Sequence, residues 1–479
     1  MAVLEGLEPR GVLHWFEELC RIPHGSGNTK AISDYLVRFA RDRGLAVRQD
    51  EWNNVVIKKP ASAGYEAAAP VLLQGHMDMV CEKEPDCKKD MAAEGLELAV
   101  EGDTVYAKGT TLGGDDGIAV AMILALLEGD ALPHPALEAV LTVDEETGMI
   151  GAAAIDLSDL RGRLLINLDS EVEGVFTAGC AGGATAVINM PVKREAFTGE
   201  NLSITVSGLT GGHSGIEINR GRANAVVLLG RVLDAIGRAT PMRLCSVSGG
   251  SKDNAIPVSA CAFAAVEYGE RVAAACRRME EVFRREYAVA DGNVTITAAP
   301  CQAETQPLDT DSTRRALTLL QCAPNGVQEM SREVEGLVQT SLNLGILTTS
   351  ADSVRASFCV RSNINSQKEM LLRRLELLSA VLGGSFSVSG AYPAWEYSAD
   401  SPLRRLMAEV FAEQCGHAPT VEVIHAGVEC GLLADKLSGL DCVSIGPDLT
   451  EIHTPRERMH IASVQRTWAL LTETLRRLR

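Results

Sequence analysis

The sequence predicts an α/β protein: a mixed, mostly parallel sheet flanked by helices, interrupted by a large α+β insertion. Three observations predict it. Between Leu45 and Asp169, strand-like apolar runs such as Val71-Leu-Leu-Gln74 alternate with helix-like segments, the pattern of a layered structure with a largely parallel sheet. From about Thr185 the texture changes to longer strands of alternating polarity interleaved with amphipathic helices, which reads as a separate unit. Near Gly390-Ala-Tyr-Pro-Ala-Trp395 the first texture returns. The expected organisation is therefore a first domain formed by residues 1–184 and 391–479, with an inserted domain at 185–390. A chain of 479 residues is too long for one ordinary core, which agrees with two domains.

Helical apolar spacing marks residues 13–22 and 30–43, and the turn-rich Pro23-His24-Gly25-Ser26-Gly27-Asn28 separates them. Strands are expected at 54–58, 71–74, 137–143 and 163–168, and a helix at 118–127. In the insertion, strands at 184–190 and 202–207 accompany helices near 223–236, 271–287 and 368–382. A similar order on either side of the polar stretch 303–311 suggests two related halves. The tail supplies a helix at 402–415, strands at 420–424 and 441–445, and a final helix from Ala462. No low-complexity segment or long linker intervenes, so two short hinge strands are expected to join the insertion.

Composition narrows the partners. Lys+Arg 45 against Asp+Glu 63 gives a net charge of -18, which repels phosphates and so opposes unspecific binding to nucleic acid or anionic membrane. The longest apolar run, residues 118–127, falls far short of the roughly 20 residues that span a bilayer. Glu5 and Glu8 stand where a secretory leader would be basic, so a soluble cytoplasmic protein is expected. Thirteen scattered cysteines without a C-x-x-C argue against a disulfide framework or a thiolate zinc site.

The chemistry is expected where the strand at 71–74 stops, in His76-Met77-Asp78-Met79-Val80. Residues two apart in extended chain point the same way, so His76 and Asp78 suit a metal ligand with the carboxylate that orients it, or a capped strand end with a surface histidine. Further clusters sit where strands end or helices begin, which is where open α/β sheets bind ligands. Gly113-Gly114-Asp115-Asp116-Gly117 precedes the helix at 118–127, where Asp116 can also serve as a cap. Asp144-Glu145-Glu146-Thr147-Gly148 closes one strand, either as a solvated acidic turn or as carboxylates gathered by a cation. Asp169 closes another strand, and His453 follows the strand at 441–445. Two histidines and several carboxylates, without cysteine, suit two divalent ions sharing a bridging carboxylate.

These strings, with Gly211-Gly-His213-Ser-Gly215 and His425-Ala-Gly-Val-Glu429-Cys-Gly431, resemble in order the co-catalytic zinc metallopeptidases that include carnosinases, carboxypeptidases and aminoacylases. The resemblance implies a zinc-exopeptidase-like catalytic domain with a lid domain inserted in it. It implies His76, Asp115, Glu146, Asp169 and His453 as metal ligands, with Asp115 as the bridge. Asp78 orients His76, and Glu145 is the general base. A cis peptide is implied at Asp115-Asp116. In the insertion, His213 matches a residue that holds the scissile carbonyl oxygen, and Asn254 a substrate-contacting asparagine. Ala265-Val-Glu-Tyr268 stands where many relatives carry an arginine. Arg361 takes its place as the binder of a substrate carboxylate, a surface arginine being the alternative. His425 and Gly427 match substrate-side positions.

The implied activity is two-metal hydrolysis of dipeptides, Xaa-His and β-alanyl-histidine among them. Two Zn2+ ions per chain are expected, with Co2+ or Mn2+ as alternatives. An insertion of about 200 residues is a domain in its own right, longer than the lid of the smaller relatives, and favours dipeptide cleavage over deacylation. An aminoacylase acting on N-acyl amino acids is the rival within enzymes, and a non-catalytic metal-binding protein the rival outside them. A homodimer is compatible with the resemblance.

Overall fold

The structure, a computed structural model, describes residues 3–129, 131–302 and 305–479. Ala303 and Glu304, which open the polar stretch 303–311, lie outside the described residues. Two compact units form: Met1–Cys180, Tyr397–Val423 and Val428–Arg479 make one, and Ala181–Glu396 with Ile424–Gly427 the other.

The first unit is built on an eight-stranded sheet in the order Ala46–Gln49, Val55–Lys59, Leu137–Thr142, Val71–His76, Leu164–Asn167, Asp441–Ser444, Val175–Cys180, Thr420–Ile424. Val71–His76 runs parallel to both its neighbours, and Asp441–Ser444 parallel to Leu164–Asn167. Every residue of Val71–His76 and Leu137–Thr142 is buried. Strands covered on both faces read as apolar runs rather than alternations, which is why the sequence betrays them. Their register places His76 opposite Thr142 and Gln74 opposite Asn167. His76, the Asp144–Glu146 turn and Asp169 therefore leave the sheet along one edge.

The helix Gly114–Glu128 lies against the Val71–His76 strand and the first helix, Arg10–Cys20. Its Ile118, Val120, Met122, Ile123, Leu124 and Leu127 are no more than 1% exposed. At about 1.5–3 kcal/mol for each fully buried large aliphatic side chain, packing on all sides rather than intrinsic propensity holds this helix. Two glycines permit the approach. A Cβ on Gly75 would stand 2.7 Å from Ala119 Cβ, and one on Gly117 3.3 Å from the Phe16 ring. The result is a fixed start for the helix, where Asp115 and Asp116 sit. The peptide bond between them is cis.

A small four-stranded sheet, Leu449–Thr450, Arg458–His460, Thr104–Ala107 and Leu98–Glu101, holds the segment that carries His453. Its strands of two to four residues are too short for periodicity to reveal.

The second unit is a nine-stranded sheet whose recorded pairings are all antiparallel. The strands Glu200–Ser207, Met242–Gly249 and Ala260–Val266 form one half, and Val338–Thr349, Ser353–Ser362 and Gly182–Pro191 the other. The halves meet at the pair Gly249 and Leu347. The helices Ala225–Ala239, Gly269–Glu286, Thr310–Cys322 and Asn365–Val381 share one apolar core with the sheet.

Among the described residues no helix is long and apolar enough to cross a membrane. No disulfide is recorded among the described residues.

Candidate metal centre

His76 is 1% exposed, and its Nδ1–H donates to the Asp78 carbonyl oxygen at 3.0 Å. In the neutral ring that bond leaves the Nε2 lone pair free for a cation. Nε2 stands 3.1 Å from Asp115 Oδ1 and 3.6 Å from Asp169 Oδ1. The other oxygen of Asp115, Oδ2, stands 3.1 Å from His453 Nε2, which is also 2.9 Å from Glu146 Oε1. Asp115 thus offers one oxygen to each histidine, the disposition of a bridging carboxylate.

The buried Glu146 Oε1 has no hydrogen-bond partner among the described residues. Although His453 Nε2 is close to it, the ring N–H is directed at Asp115 instead. Two electron-rich atoms that converge without a proton aligned between them suit a shared cation. Ligand atoms of His76, Asp115 and Glu146 lie within 4.8 Å of one another, as do those of His76, Asp116 and Asp169. Asp116 has another task than helix capping. The N-cap residue, Gly113, has no side chain to cap the helix, and Asp116 Oδ2 accepts the His76 backbone N–H at 3.1 Å. Burial drives its carboxyl well above the usual range, with Asp169 adding to the effect.

Two more acids surround this set. Asp78 Oδ1 accepts the backbone N–H of Glu145 at 3.2 Å, and Asp78 Oδ2 accepts from Ser26 Oγ at 2.8 Å. No hydrogen bond to the Glu145 carboxylate exists among the described residues, which leaves it available. Burial pushes that carboxyl up to about 9, with Asp169, Glu429 and Glu146 adding and His76 opposing. Asp169 is pushed up to about 6 by burial. Burial disfavours ionised Asp115, yet its bonds to His453 and His76 outweigh that and hold it below the usual carboxylate range. The bond to Asp115 and the adjacent Glu146 carboxylate push His453 up to about 10. Burial likewise disfavours a protonated His76, but Asp115, Asp169 and Asp78 together keep it well above its ordinary value. Protons therefore balance the excess negative charge of the metal-free centre, and divalent ions would replace them.

Within the second unit, Gly215 and Ile216 each donate a backbone N–H at 3.2 Å to His213 Nδ1. Burial and the nearby Arg361 lower the pKa of His213, so the neutral ring presents Nε2–H as its donor. Arg361 is 9% exposed rather than a surface arginine. Its Nη1 donates to Tyr392 Oη at 3.2 Å, and its buried Nε has no partner among the described residues. A Cβ on Gly427 would stand 2.7 Å from the Tyr392 ring, so only glycine leaves room for that tyrosine. Both ring nitrogens of His425 are engaged, with Ser341 Oγ at 2.7 Å and Asn363 Oδ1 at 2.9 Å. Burial and Arg361 lower its pKa to about 3. Asn254 is exposed, and its carbonyl oxygen accepts the Ser214 N–H at 2.8 Å.

Sequence reasoning missed three side chains of the first unit. Ser26 braces Asp78 from the turn-rich loop. Glu429 is fully buried; its Oε2 accepts from Gln74 Nε2 at 2.5 Å and Thr142 Oγ1 at 2.6 Å, while Asn167 Nδ2 donates to Gln74 Oε1 at 2.5 Å. Its place in the His425–Gly431 string was the one available signal. Glu457, which binds the backbone ahead of Asp115, carries none.

Residues 72–477 match peptidase family M20/M25/M40. A cytosol non-specific dipeptidase of Escherichia coli (strain K12) is 37% identical over 482 aligned residues, spanning 100% of this chain and 99% of that protein. The crystal structure of aminoacylhistidine dipeptidase from Vibrio alginolyticus superposes with a TM-score of 0.94 at 36% identity, over 99% of this chain and 98% of that one. Aminopeptidase PepT from Bacillus cereus, 16% identical with a TM-score of 0.57 over 98% of both chains, shares the fold.

Proposed function

The chain belongs to peptidase family M20/M25/M40, and from that premise we propose that it is a two-metal dipeptidase with Glu145 as its general base. The observation that carries this reading is the Asp115 carboxylate, with Oδ1 at His76 and Oδ2 at His453, beside a carboxylate with no other partner. His76, Asp115 and Asp169 would hold one divalent ion, and Asp115, Glu146 and His453 the other. A nitrogen and oxygen donor set of this kind suits Zn2+, with Co2+ or Mn2+ as alternatives.

Two divalent ions held there would polarise the scissile carbonyl, lower the pKa of the attacking water towards neutrality and draw the surrounding acids into their charged form. Glu145 takes a proton from that water as its oxygen bonds to the carbonyl carbon. It then delivers the proton to the departing amide nitrogen as the C–N bond breaks. Asp78 holds the backbone of Glu145 and, through its own carbonyl, the ring of His76, so base and ligand keep a fixed relation.

On the substrate side, His213 donates Nε2–H to the carbonyl oxygen that gains charge, and Arg361 binds the terminal carboxylate. Asn254 contacts the peptide, Gly427 leaves room for the Tyr392 that accepts from Arg361, and His425, held by Ser341 and Asn363, lies on the substrate side. The inserted unit acts as the lid that measures substrate length. The names of the Escherichia coli and Vibrio alginolyticus relatives support dipeptides as substrates, Xaa-His among them, and a cytosolic location.

The test is hydrolysis by metal-replete protein of carnosine, several Xaa-His and other dipeptides, tripeptides and N-acetyl amino acids, each with and without chelator. Chelator-sensitive cleavage confined to dipeptides supports the reading. Cleavage of the acetylated compounds alone moves the protein to the deacylases. Absence of any cleavage contradicts catalysis.

A further inference from the structure

Glu457 is 2% exposed, and its carboxylate accepts four successive backbone N–H groups. Leu112 and Gly113 donate to Oε2 at 2.7 and 3.1 Å, and Gly114 and Asp115 to Oε1 at 2.8 and 3.4 Å. Consecutive N–H groups that converge in this way form a nest for an anion, filled here by a side chain of the same protein. Gly113, at φ +69, turns the backbone into the nest, and a Cβ at Gly114 would stand only 3.1 Å from Glu457 Oε1. No Lys or Arg side chain pairs with this carboxylate among the described residues, so the backbone N–H groups are what oppose the cost of burying it, and burial still holds its carboxyl above the usual range.

The two ends of this clamp belong to different ligands. The last N–H of the nest is that of Asp115, and Glu457 closes the turn that carries His453. In that turn Glu451 and His453 have φ of 54 and 59, a left-handed backbone that non-glycine residues adopt only when their surroundings hold them there. Glu457 N–H bonds to Thr454 O at 3.1 Å and Thr454 Oγ1 to Glu451 O at 2.7 Å. The following strand is pinned by Met459 opposite Val105.

We propose that Glu457 is a positioning residue that sets the separation of Asp115 and His453, and through it the affinity of the ion held by Asp115, Glu146 and His453. This rests on the two-metal reading above. The Glu457 carboxylate accepts hydrogen bonds only from backbone N–H groups among the described residues. It acts by joining the loop of the bridging ligand to the turn of the terminal one.

The test is competition of the full chain against a chromophoric chelator during Zn2+ titration, with H453A marking which binding step belongs to the His453 side. In E457Q an amide nitrogen replaces one acceptor oxygen. That same step should weaken by about 10–100-fold, the range found when a ligand's orienting partner is lost, while the other changes less than about threefold. Saturating Zn2+ should restore kcat. The control is E138Q, since Glu138 is also buried and caps backbone, accepting from Arg161 N and Gly162 N at 3.0 and 2.9 Å. It should lower Tm and leave both steps unchanged. If E457Q does not fold, E457D is read in the same way. Equal weakening of both steps, weakening of neither, or an E138Q titration matching that of E457Q overturns the proposal. A wild-type chain that binds fewer than two ions overturns the two-metal reading and this inference with it.

Discussion

Asp78 Oδ1 accepts the backbone N–H of Glu145 at 3.2 Å and stands 3.3 Å from Nδ1 of His76, whose N–H the Asp78 carbonyl oxygen accepts at 3.0 Å, so one buried residue ties the base to a metal ligand. D78N keeps an oxygen for the Glu145 N–H and removes the charge. The expected result is a fall in metal affinity of about 10–100-fold with kcat largely restored at saturating metal. Chelator competition with steady-state kinetics checks it. Unchanged affinity would show that Asp78 serves only the turn.

Gly75 is where the central strand meets the helix of Asp115. A Cβ there would stand 2.6 Å from Asp116 Oδ2 and 2.7 Å from Ala119 Cβ. G75A should destabilise by about 1–3 kcal/mol, as overpacking does, and weaken metal binding because the helix start must shift. Denaturant unfolding of the metal-free protein gives the first quantity and chelator competition the second. Wild-type values for both would show that the helix is free to move.

The metal-free centre should lose stability as pH rises. Glu145 is raised to about 9, Asp169 to about 6, Glu429 to about 7 and His453 to about 10. Each binds its proton more tightly folded than unfolded. The carboxyl contributions fade from about pH 4 upward, and that of His453 from about pH 6.5 towards its folded value. Asp115 has the opposite sign, but its contribution is lost only at acid pH. Divalent ions replace these protons, so their stabilisation should grow as pH rises. The gap in Tm between metal-loaded and chelator-treated protein should widen from about pH 6 to about pH 9. A constant or narrowing gap contradicts the ligand set.

The sequence showed most clearly what is buried on both faces or placed at a strand end. Val71–His76 and Leu137–Thr142 stand out because a covered parallel strand is apolar throughout, and the acids at their ends stand out because such runs stop abruptly. Other elements lack that contrast. Ser385–Tyr392 alternates polar and apolar residues only over 385–389 and is largely exposed, so it marks no buried face, and the polar stretch 303–311 hides the start of Thr310–Cys322, whose cap Asp309 was its local signal. Glu457 could not be found because its partners are backbone N–H groups up to 345 positions away, which no side-chain pattern encodes. Asp116 looked like a cap because its place at a helix start is a capping place. Only the structure shows its oxygen turned to the His76 N–H.

The central claim is that Glu145 moves the proton while other residues hold the metals, and E145Q tests it most directly. Metal content and kcat are measured on the same preparation of wild-type and variant protein. Close to two ions per chain in both, with kcat lowered by about 10²–10⁴-fold as expected for loss of a general base, is the predicted result. Two ions with turnover near that of wild type would contradict it.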